Sequence, residues 1–251
     1  MSALWAIIRK EWKIYFVTPA AYVVLALFAL IAGFFFYSML AVYVMQSLGG
    51  GEFGGGALNV NTHLIQPLFF DMGITLLFLL PMLTMRLYAE EFRSGTMELL
   101  KTAPIQRVQV VLGKFLAVFG ILILMLIIAF AYLTVVLHYG KPDLGALGIA
   151  FLGLALMGAA FLALGILISS FTRNQIVAGV VTFSLFLLLW VAGWTTAYSS
   201  GAVAGVFSYL SITTHFQNFT LGLVDLKDLI YFLSLIFGGL FLTARRMELA
   251  E

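Results

Sequence analysis

Six long apolar runs constrain the fold of this chain more than any other feature. They cover residues 17–44, 67–85, 108–137, 144–168, 175–197 and 229–242. A helix of about 20 predominantly apolar residues crosses the hydrocarbon core of a bilayer, and most of these runs reach that length. Alternating ten-residue strands, which build transmembrane barrels, are absent from the sequence. The runs therefore predict an all-α polytopic membrane protein with six transmembrane helices in a single domain, residues 1–251.

The composition agrees with this interpretation. Only 10% of the residues are charged and 63% are apolar, whereas soluble domains contain about 25% charged residues. A chain of this composition cannot cover a water-exposed surface with polar groups. It also contains no cysteine, which excludes disulfides and thiolate metal sites.

The distribution of basic residues predicts the orientation, because short cytoplasmic loops carry an excess of lysine and arginine. With six spans, one side holds eleven of them and the other holds two. The eleven are Arg9, Lys10, Lys13, Arg86, Arg93, Lys101, Arg107, Lys114, Arg173, Arg245 and Arg246, and the two are Lys141 and Lys227. We therefore expect a multi-pass protein of the cell inner (cytoplasmic) membrane with both termini in the cytoplasm.

Residues 1–16 precede the first run and have an amphipathic pattern of their own. One face of a helical wheel holds Leu4, Trp5, Ile8, Trp12 and Tyr15, and another holds Arg9, Lys10 and Lys13. This pattern predicts an elbow helix in the membrane interface, with its aromatic face in lipid and its basic face toward anionic head groups. The alternative is that these residues extend the first span into the cytosol.

Two segments are predicted to lie outside. Residues 46–61 are rich in glycine but lack the Gly-Lys-Ser/Thr of a phosphate-binding loop, so we expect a flexible connector. Residues 198–227 are too long for a turn and too broken for a span. Short interfacial or re-entrant half-helices that pack against protein would satisfy the backbone groups of this segment.

A few polar residues are candidates for a pathway or an external site. Asp71 lies inside the second run, where a carboxylate is costly and often functional, although at this depth it can also reach interfacial water. His63, His138 and His215 all fall toward the predicted external side. They suit metal binding or pH sensing there, or are simply polar residues at helix ends. We predict no metal site.

Charges of both signs cluster in residues 86–104, between the second and third runs. We expect Gly95 and Thr96 to start a short helix, with Thr96 as its N-cap, and Pro104 to end it. The alternative is a solvated loop, but apolar residues within the segment favour a surface that docks another protein. The chain has no Walker A, His-Glu-x-x-His or Gly-x-Ser-x-Gly motif, so we expect no ATPase or other enzyme activity in it.

Three stretches resemble a known family. Residues 90–104, EEFRSGTMELLKTAP, are similar to the coupling-helix signature of ABC-2 type transporter permeases, and residues 169–175, SSFTRNQ, are similar to the second cytoplasmic turn of that family. Residues 215–219, HFQNF, with 222–228, GLVDLKD, resemble the end of permeases of the gliding-motility and nitrous-oxide-maturation type.

The resemblance implies an elbow helix, six spans and external half-helices before the last span. It also implies two cytoplasmic ATPase subunits that hold ATP and Mg, with no cofactor bound to this chain, and a second permease protomer, identical or homologous. The small external regions suggest an external accessory protein, and no nucleic acid is expected. In the coupling region, residues 89–105, the implied ATPase contacts are Glu90, Glu91, Arg93, Gly95, Thr96, Glu98 and Lys101, with Thr172, Arg173 and Asn174 in the second loop.

The expected function is that of a membrane-spanning permease subunit. It would couple ATP hydrolysis by a separate ATPase to substrate export, or to transmission of a conformational change across the membrane. Two alternatives remain open from the sequence: a transporter or channel driven by an ion gradient, and a structural membrane subunit of a larger complex.

Overall fold

The structure, a computed structural model, describes residues 3–48, 59–96, 106–140, 142–197 and 202–249. The regular structure in these ranges is helical throughout. The helices are α1 Ala3–Val17, α2 Ala20–Leu48, α3 Gln66–Thr84, α4 Ala89–Ser94, α5 Arg107–Tyr139, α6 Leu144–Ser169, α7 Gln175–Val191, α8 Ala202–Leu210, α9 Ile212–Thr220 and α10 Leu226–Leu249. A π-helical turn, Asn61–Ile65, leads into α3, and a 3₁₀ turn, Ala192–Ala197, follows α7.

Six helical stretches are long and apolar enough to cross a membrane, which confirms the prediction of six spans. They are Ala20–Ser47, Asn61–Ser94, Arg107–Tyr139, Leu144–Ser169, Gln175–Trp194 and Leu226–Glu248. The last of them is longer than the predicted run 229–242. Asp228 and Arg245 lie near its two ends, and a hydropathy pattern stops at such charges although the helical backbone continues through them.

Helix α6 is the centre of the packing. It contacts α3, α5, α7, α9 and α10, and α3 and α6 are the most buried of the spans. Gly165 of α6 lies against Thr84 of α3 so closely that a Cβ at this position would overlap the threonine side chain. Absence of a side chain therefore allows these two helices to approach each other, as small residues do in membrane proteins.

The N-terminal helix is separate from the first span. It ends where Thr18 Oγ1 donates to Ile14 O over 2.7 Å and Pro19 follows. Helix α1 lies along the first turns of α5, where Ile7 packs over Gly113. Its buried face is Ile7, Glu11 and Tyr15. Tyr15 was expected on the lipid-facing side, but the packing of α1 buries it fully, and its hydroxyl donates to Leu83 O at 2.5 Å.

Two short helices precede the last span within the described part of the segment 198–227. Helices α8 and α9 have nine residues each, and Ser211 begins α9 by accepting a hydrogen bond from Thr214 N. The predicted glycine-rich connector falls largely on residues 49–58, which lie outside the described residues.

The contact between α3 and α6 predicts a matched pair of glycine substitutions. Gly165→Ala should destabilise the protein by about 1–3 kcal/mol, because an added methyl group forces well-packed helices apart. A Cβ at Gly148 on the same helix would meet open space. Because alanine favours the helix more than glycine does, Gly148→Ala should leave the free energy of unfolding unchanged or slightly higher. Thermal unfolding of both variants in detergent measures the difference, and equal midpoints would show that the contact does not limit packing.

Candidate functional site

Four charged side chains from three helices meet beside α4. Lys114 Nζ of α5 lies 2.8 Å from Glu11 Oε1 of α1 and 3.0 Å from Glu91 Oε1 of α4. Lys10 Nζ of α1 lies 2.6 Å from the same oxygen of Glu91. These four residues, Lys10, Glu11, Glu91 and Lys114, form the charge cluster. It joins the start of the 86–104 segment to the N-terminal helix and to the third span.

Lys114 is the centre of the charge cluster. Its side chain is only 1% exposed, and an unpaired buried ammonium would be very unfavourable. An ammonium has three N–H donors, and three oxygens lie within 3.0 Å of it: those of Glu11 and Glu91, and Leu87 O at 2.8 Å. The ring of Tyr88 adds a cation–π contact at 5.0 Å. Each N–H donor of the buried ammonium therefore has an acceptor.

Lys10 lies at the solvent-facing edge of the charge cluster, where it pairs with Glu91. Burial alone would lower the pKa of its ammonium, but the hydrogen bond to Glu91 and the charges of Glu91 and Glu11 outweigh burial and raise that pKa above its ordinary value. Lys10 therefore carries its full charge in the neutral pH range. Its side chain remains 45% exposed, so one edge of the cluster faces solvent.

Helix α4 is positioned by a residue of another helix. Its N-cap, Tyr88, provides no side-chain cap. Instead Ser169 Oγ, at the end of α6, accepts hydrogen bonds from Tyr88 N at 3.1 Å and Ala89 N at 3.2 Å, and donates to Met85 O at 3.1 Å. The first N–H groups of a helix lack partners within the helix, so this serine supplies what the local sequence does not. It also fixes α4 to α6.

A second contact fastens the turn before α4 to the N-terminal helix. The Arg86 guanidinium lies 4.9 Å from the centre of the Tyr15 ring, and Arg86 donates to Thr18 Oγ1 at 3.3 Å. Burial, together with the nearby charge of Glu11, raises the pKa of the Tyr15 phenol well above its ordinary value. The phenol therefore stays protonated and continues to donate its hydrogen bond to Leu83 O of α3.

A cavity of about 470 Å³ opens beside the charge cluster. Its lining includes the four cluster residues together with Glu90, Ser94 and Thr96. Glu91 Oε2 is buried and has no hydrogen-bond partner among the described residues. A cavity of this size that is lined by several charged side chains has room for water molecules, which commonly satisfy such atoms.

The structure separates the predicted contact residues into two groups. Glu90, Arg93, Gly95 and Thr96 are exposed, whereas Glu91 is buried in the charge cluster. Gly95 has a positive φ of 73° and ends α4, as glycine commonly does after a helix; α4 itself was not among the predicted helices. Glu98 and Lys101, with the helix expected at 97–101, lie outside the described residues.

The second predicted loop lies next to α4, because it begins directly after Ser169. Asn174 caps α7: its Oδ1 accepts from Ile176 N at 2.9 Å and Val177 N at 3.4 Å. Thr172 Oγ1 accepts from Asn174 N at 3.1 Å, and Arg173 is exposed. Asn174 and Thr172 therefore shape the turn, and Arg173 is the member of this group that is free to meet another protein.

The sequence analysis missed Glu11 and Lys114 as site residues. Lys114 is the only charged residue in the run 108–137, and Glu11 is the only acid in residues 1–16. An ionisable residue within an apolar run is by itself a signal of a buried partner. That signal points to Lys114, but it does not say which carboxylate the lysine meets.

A second buried pair lies between α9 and the start of α10. His215 Nδ1 is 2.7 Å from Asp228 Oδ1, and His215 Nε2 is 3.0 Å from Tyr209 O. Asn218 Nδ2 donates to the other Asp228 oxygen at 2.6 Å, and the Tyr231 ring stacks on the imidazole at 4.0 Å. These contacts pin α9 to the last span. His215 was a predicted candidate, whereas its partner Asp228 was not.

The remaining candidates stand apart from these clusters. His63 and His138 are exposed, and the described parts of the chain contain no group of three or more His, Cys, Asp or Glu side chains that could hold a metal ion. Asp71 is half-buried in α3, and its Oδ2 makes no hydrogen bond to a described residue.

Comparison with known proteins agrees with this architecture. The model of the family described as ABC-2 family transporter protein matches residues 5–237, which is nearly the whole chain. The chain belongs to the ABC-2 transporter family. It is therefore a membrane permease subunit of an ABC transporter, and association with an ABC ATPase is implied for this permease. No curated protein matches it, and the narrower likeness to gliding-motility or nitrous-oxide-maturation permeases is not supported.

The burial of Lys114 predicts a large effect of neutralising it. Lys114→Met should destabilise the permease by about 3–5 kcal/mol, because Glu11 and Glu91 lose the buried cation of the pair and keep only the half-exposed Lys10. Arg173→Met, in the exposed turn before α7, is the control and should change little. Thermal unfolding in detergent measures both. Adding Glu11→Gln and Glu91→Gln to Lys114→Met should recover part of the loss, and a loss as small as that of the control would contradict the assignment.

The buried pair at α9 predicts a second matched comparison. Asp228→Ala removes the partner of His215 and Asn218 and should destabilise the permease by about 3–5 kcal/mol. Asp225→Ala, three residues earlier, breaks an exposed ion pair with Lys227 and the hydrogen bond that Asp225 Oδ1 accepts from Lys227 N. Loss of such a helix cap should cost only about 0.5–2 kcal/mol. Circular dichroism melts of the two variants test this, and equal midpoints would show that the pair does not hold α9 in place.

Proposed function

We propose that this permease is driven by a separate cytoplasmic ATPase that engages the 86–104 segment, and that it couples ATP hydrolysis to substrate export or to transmission of a conformational change. The observation that supports this proposal is the charge cluster. It attaches the segment predicted to meet the ATPase to the N-terminal helix and to the third span, and Ser169 attaches it to the fourth span.

The cluster supplies the mechanical connection. Separating Glu91 from Lys114 would move a buried carboxylate away from a buried ammonium, which is strongly unfavourable. A push on α4 is therefore passed to α1 and α5 as a movement of connected helices rather than absorbed by a flexible loop. For nucleotide to drive this movement, the two states of the permease must bind the ATPase with different affinities.

The proposed roles of the charged residues follow their exposure. Glu90 and Arg93 on α4, with Arg173 of the adjacent turn, are the charged residues among the predicted contacts that are described and exposed. Gly95 and Thr96 are exposed beside them. Glu91 is assigned to anchoring the segment, since its contacts lie within the chain. Glu98 and Lys101 remain contact residues on the strength of the sequence.

The complete assembly proposed here contains two ATPase subunits, which hold ATP and Mg, and a second permease protomer. The inner membrane and cytoplasmic termini follow from the bias of lysine and arginine. An external accessory protein would provide substrate handling on the outside, because the external segments of this chain are short.

Charge reversal on the exposed side of α4 tests the proposal. The double variant Glu90→Arg with Arg93→Glu should retain its unfolding midpoint but recover about tenfold less ATPase on affinity purification from native membranes, which corresponds to ~1.4 kcal/mol of binding free energy. Exposed charges at the edge of a protein–protein interface mainly affect how fast the two proteins associate. Mass spectrometry identifies the ATPase by its nucleotide-binding motifs and measures the amount recovered.

The control is Lys227→Glu, which reverses an exposed charge at the start of the last span. It should recover as much ATPase as the unmodified permease. Undiminished ATPase in the α4 variant would remove Glu90 and Arg93 from the contact, and a gentle preparation of unmodified permease that contains no ATPase would refute the function itself.

A further inference from the structure

Two cations on the exposed face of α1 have no partner within the described residues. Arg9 and Lys13 are both exposed, and they lie one helical turn apart on the same face. No described carboxylate is within ion-pair distance of either one, in contrast to Lys10, which pairs with Glu91 at 2.6 Å. This face of α1 therefore presents uncompensated positive charge.

These cations surround an open depression on the surface of α1, lined by Ala6, Arg9, Lys10, Lys13 and Ile14. Its described lining contains three cations and no acid, whereas the cavity beside the charge cluster is lined by charges of both signs. Lys10 contributes to both, because its side chain is only half-buried. The charges around this depression fit an anion with several acceptor oxygens.

The surroundings indicate that this anion is part of a lipid. Trp5 is exposed beside the cations, and tryptophan is enriched at the level of lipid head groups. Trp12 is only partly exposed, because its indole N–H donates to Ala117 O of α5 at 2.9 Å and holds α1 against the third span. Val17 is also largely exposed, immediately before the first span begins. An exposed helix that combines tryptophan, apolar residues and free cations is suited to a leaflet that contains anionic lipids.

We propose that Arg9, Lys10 and Lys13 bind the phosphate of one anionic phospholipid against α1. The two unpaired cations require a head group with net negative charge. A zwitterionic phosphatidylcholine brings its own cation and does not compensate them. Because Lys10 also pairs with Glu91, the bound lipid lies directly beside the anchor of α4. This site is independent of the proposed ATPase contact.

Lipid retention tests the proposal. The permease is reconstituted in nanodiscs made of equal parts phosphatidylcholine and phosphatidylglycerol, released into mild detergent, and analysed by native mass spectrometry. The unmodified permease should retain phosphatidylglycerol over phosphatidylcholine by about tenfold. Arg9→Gln with Lys13→Gln should abolish this preference, whereas Arg9→Lys with Lys13→Arg should preserve it, because the positive charges remain.

The matched control removes two other exposed cations, Lys227→Gln with Arg245→Gln. Each of these has a carboxylate partner of its own, Asp225 at 3.1 Å and Glu248 at 2.8 Å. The control should keep the lipid preference. Equal loss in both double variants would indicate general attraction to a positive protein and overturn the site. Full retention by the Arg9 and Lys13 variant, or displacement of the lipid by inorganic phosphate alone, would overturn it as well.

Discussion

The buried ammonium of Lys114 determines how the N-terminal helix, α4 and the third span are held together. Such a charge is tolerated only when each of its donors has an acceptor, and the acceptors come from α1, from α4 and from the backbone just before α4. None of these elements can move far without exposing an unpaired charge. A segment that the sequence alone would allow to be a loop is thereby connected to the transmembrane helices.

The two polar clusters of this permease perform the same structural task at different places. The charge cluster fixes the short helix α4, and the His215–Asp228 pair fixes the short helix α9. Isolated helices of this length are only marginally stable, so both depend on contacts with the rest of the chain. For α9 these contacts also include the buried side chains Ile212, Phe216 and Phe219. Between the clusters, the long spans pack through apolar side chains and through glycines such as Gly165, where shape rather than charge sets the distance between helices.

The sequence was sufficient for the spans and insufficient for the site. The six apolar runs, the break before the first span and the short helices before the last one follow from local composition, and the structure contains all of them. Helix α4 escaped prediction because Ser169 from a distant helix caps it. Glu90 and Glu91 are adjacent and chemically identical, and only their surroundings distinguish an exposed residue from an anchor.

By itself, then, the sequence of this ABC-2 permease determined which segments are long and apolar enough to span a membrane, because that requirement depends only on the thickness of the hydrocarbon core. The tertiary structure decided which charges meet. Lys10 and Glu91 are separated by 81 positions in the sequence, and Glu11 and Lys114 by 103. Pairs so far apart are chosen by which helices pack together, since no local pattern of residues encodes the position of a distant partner.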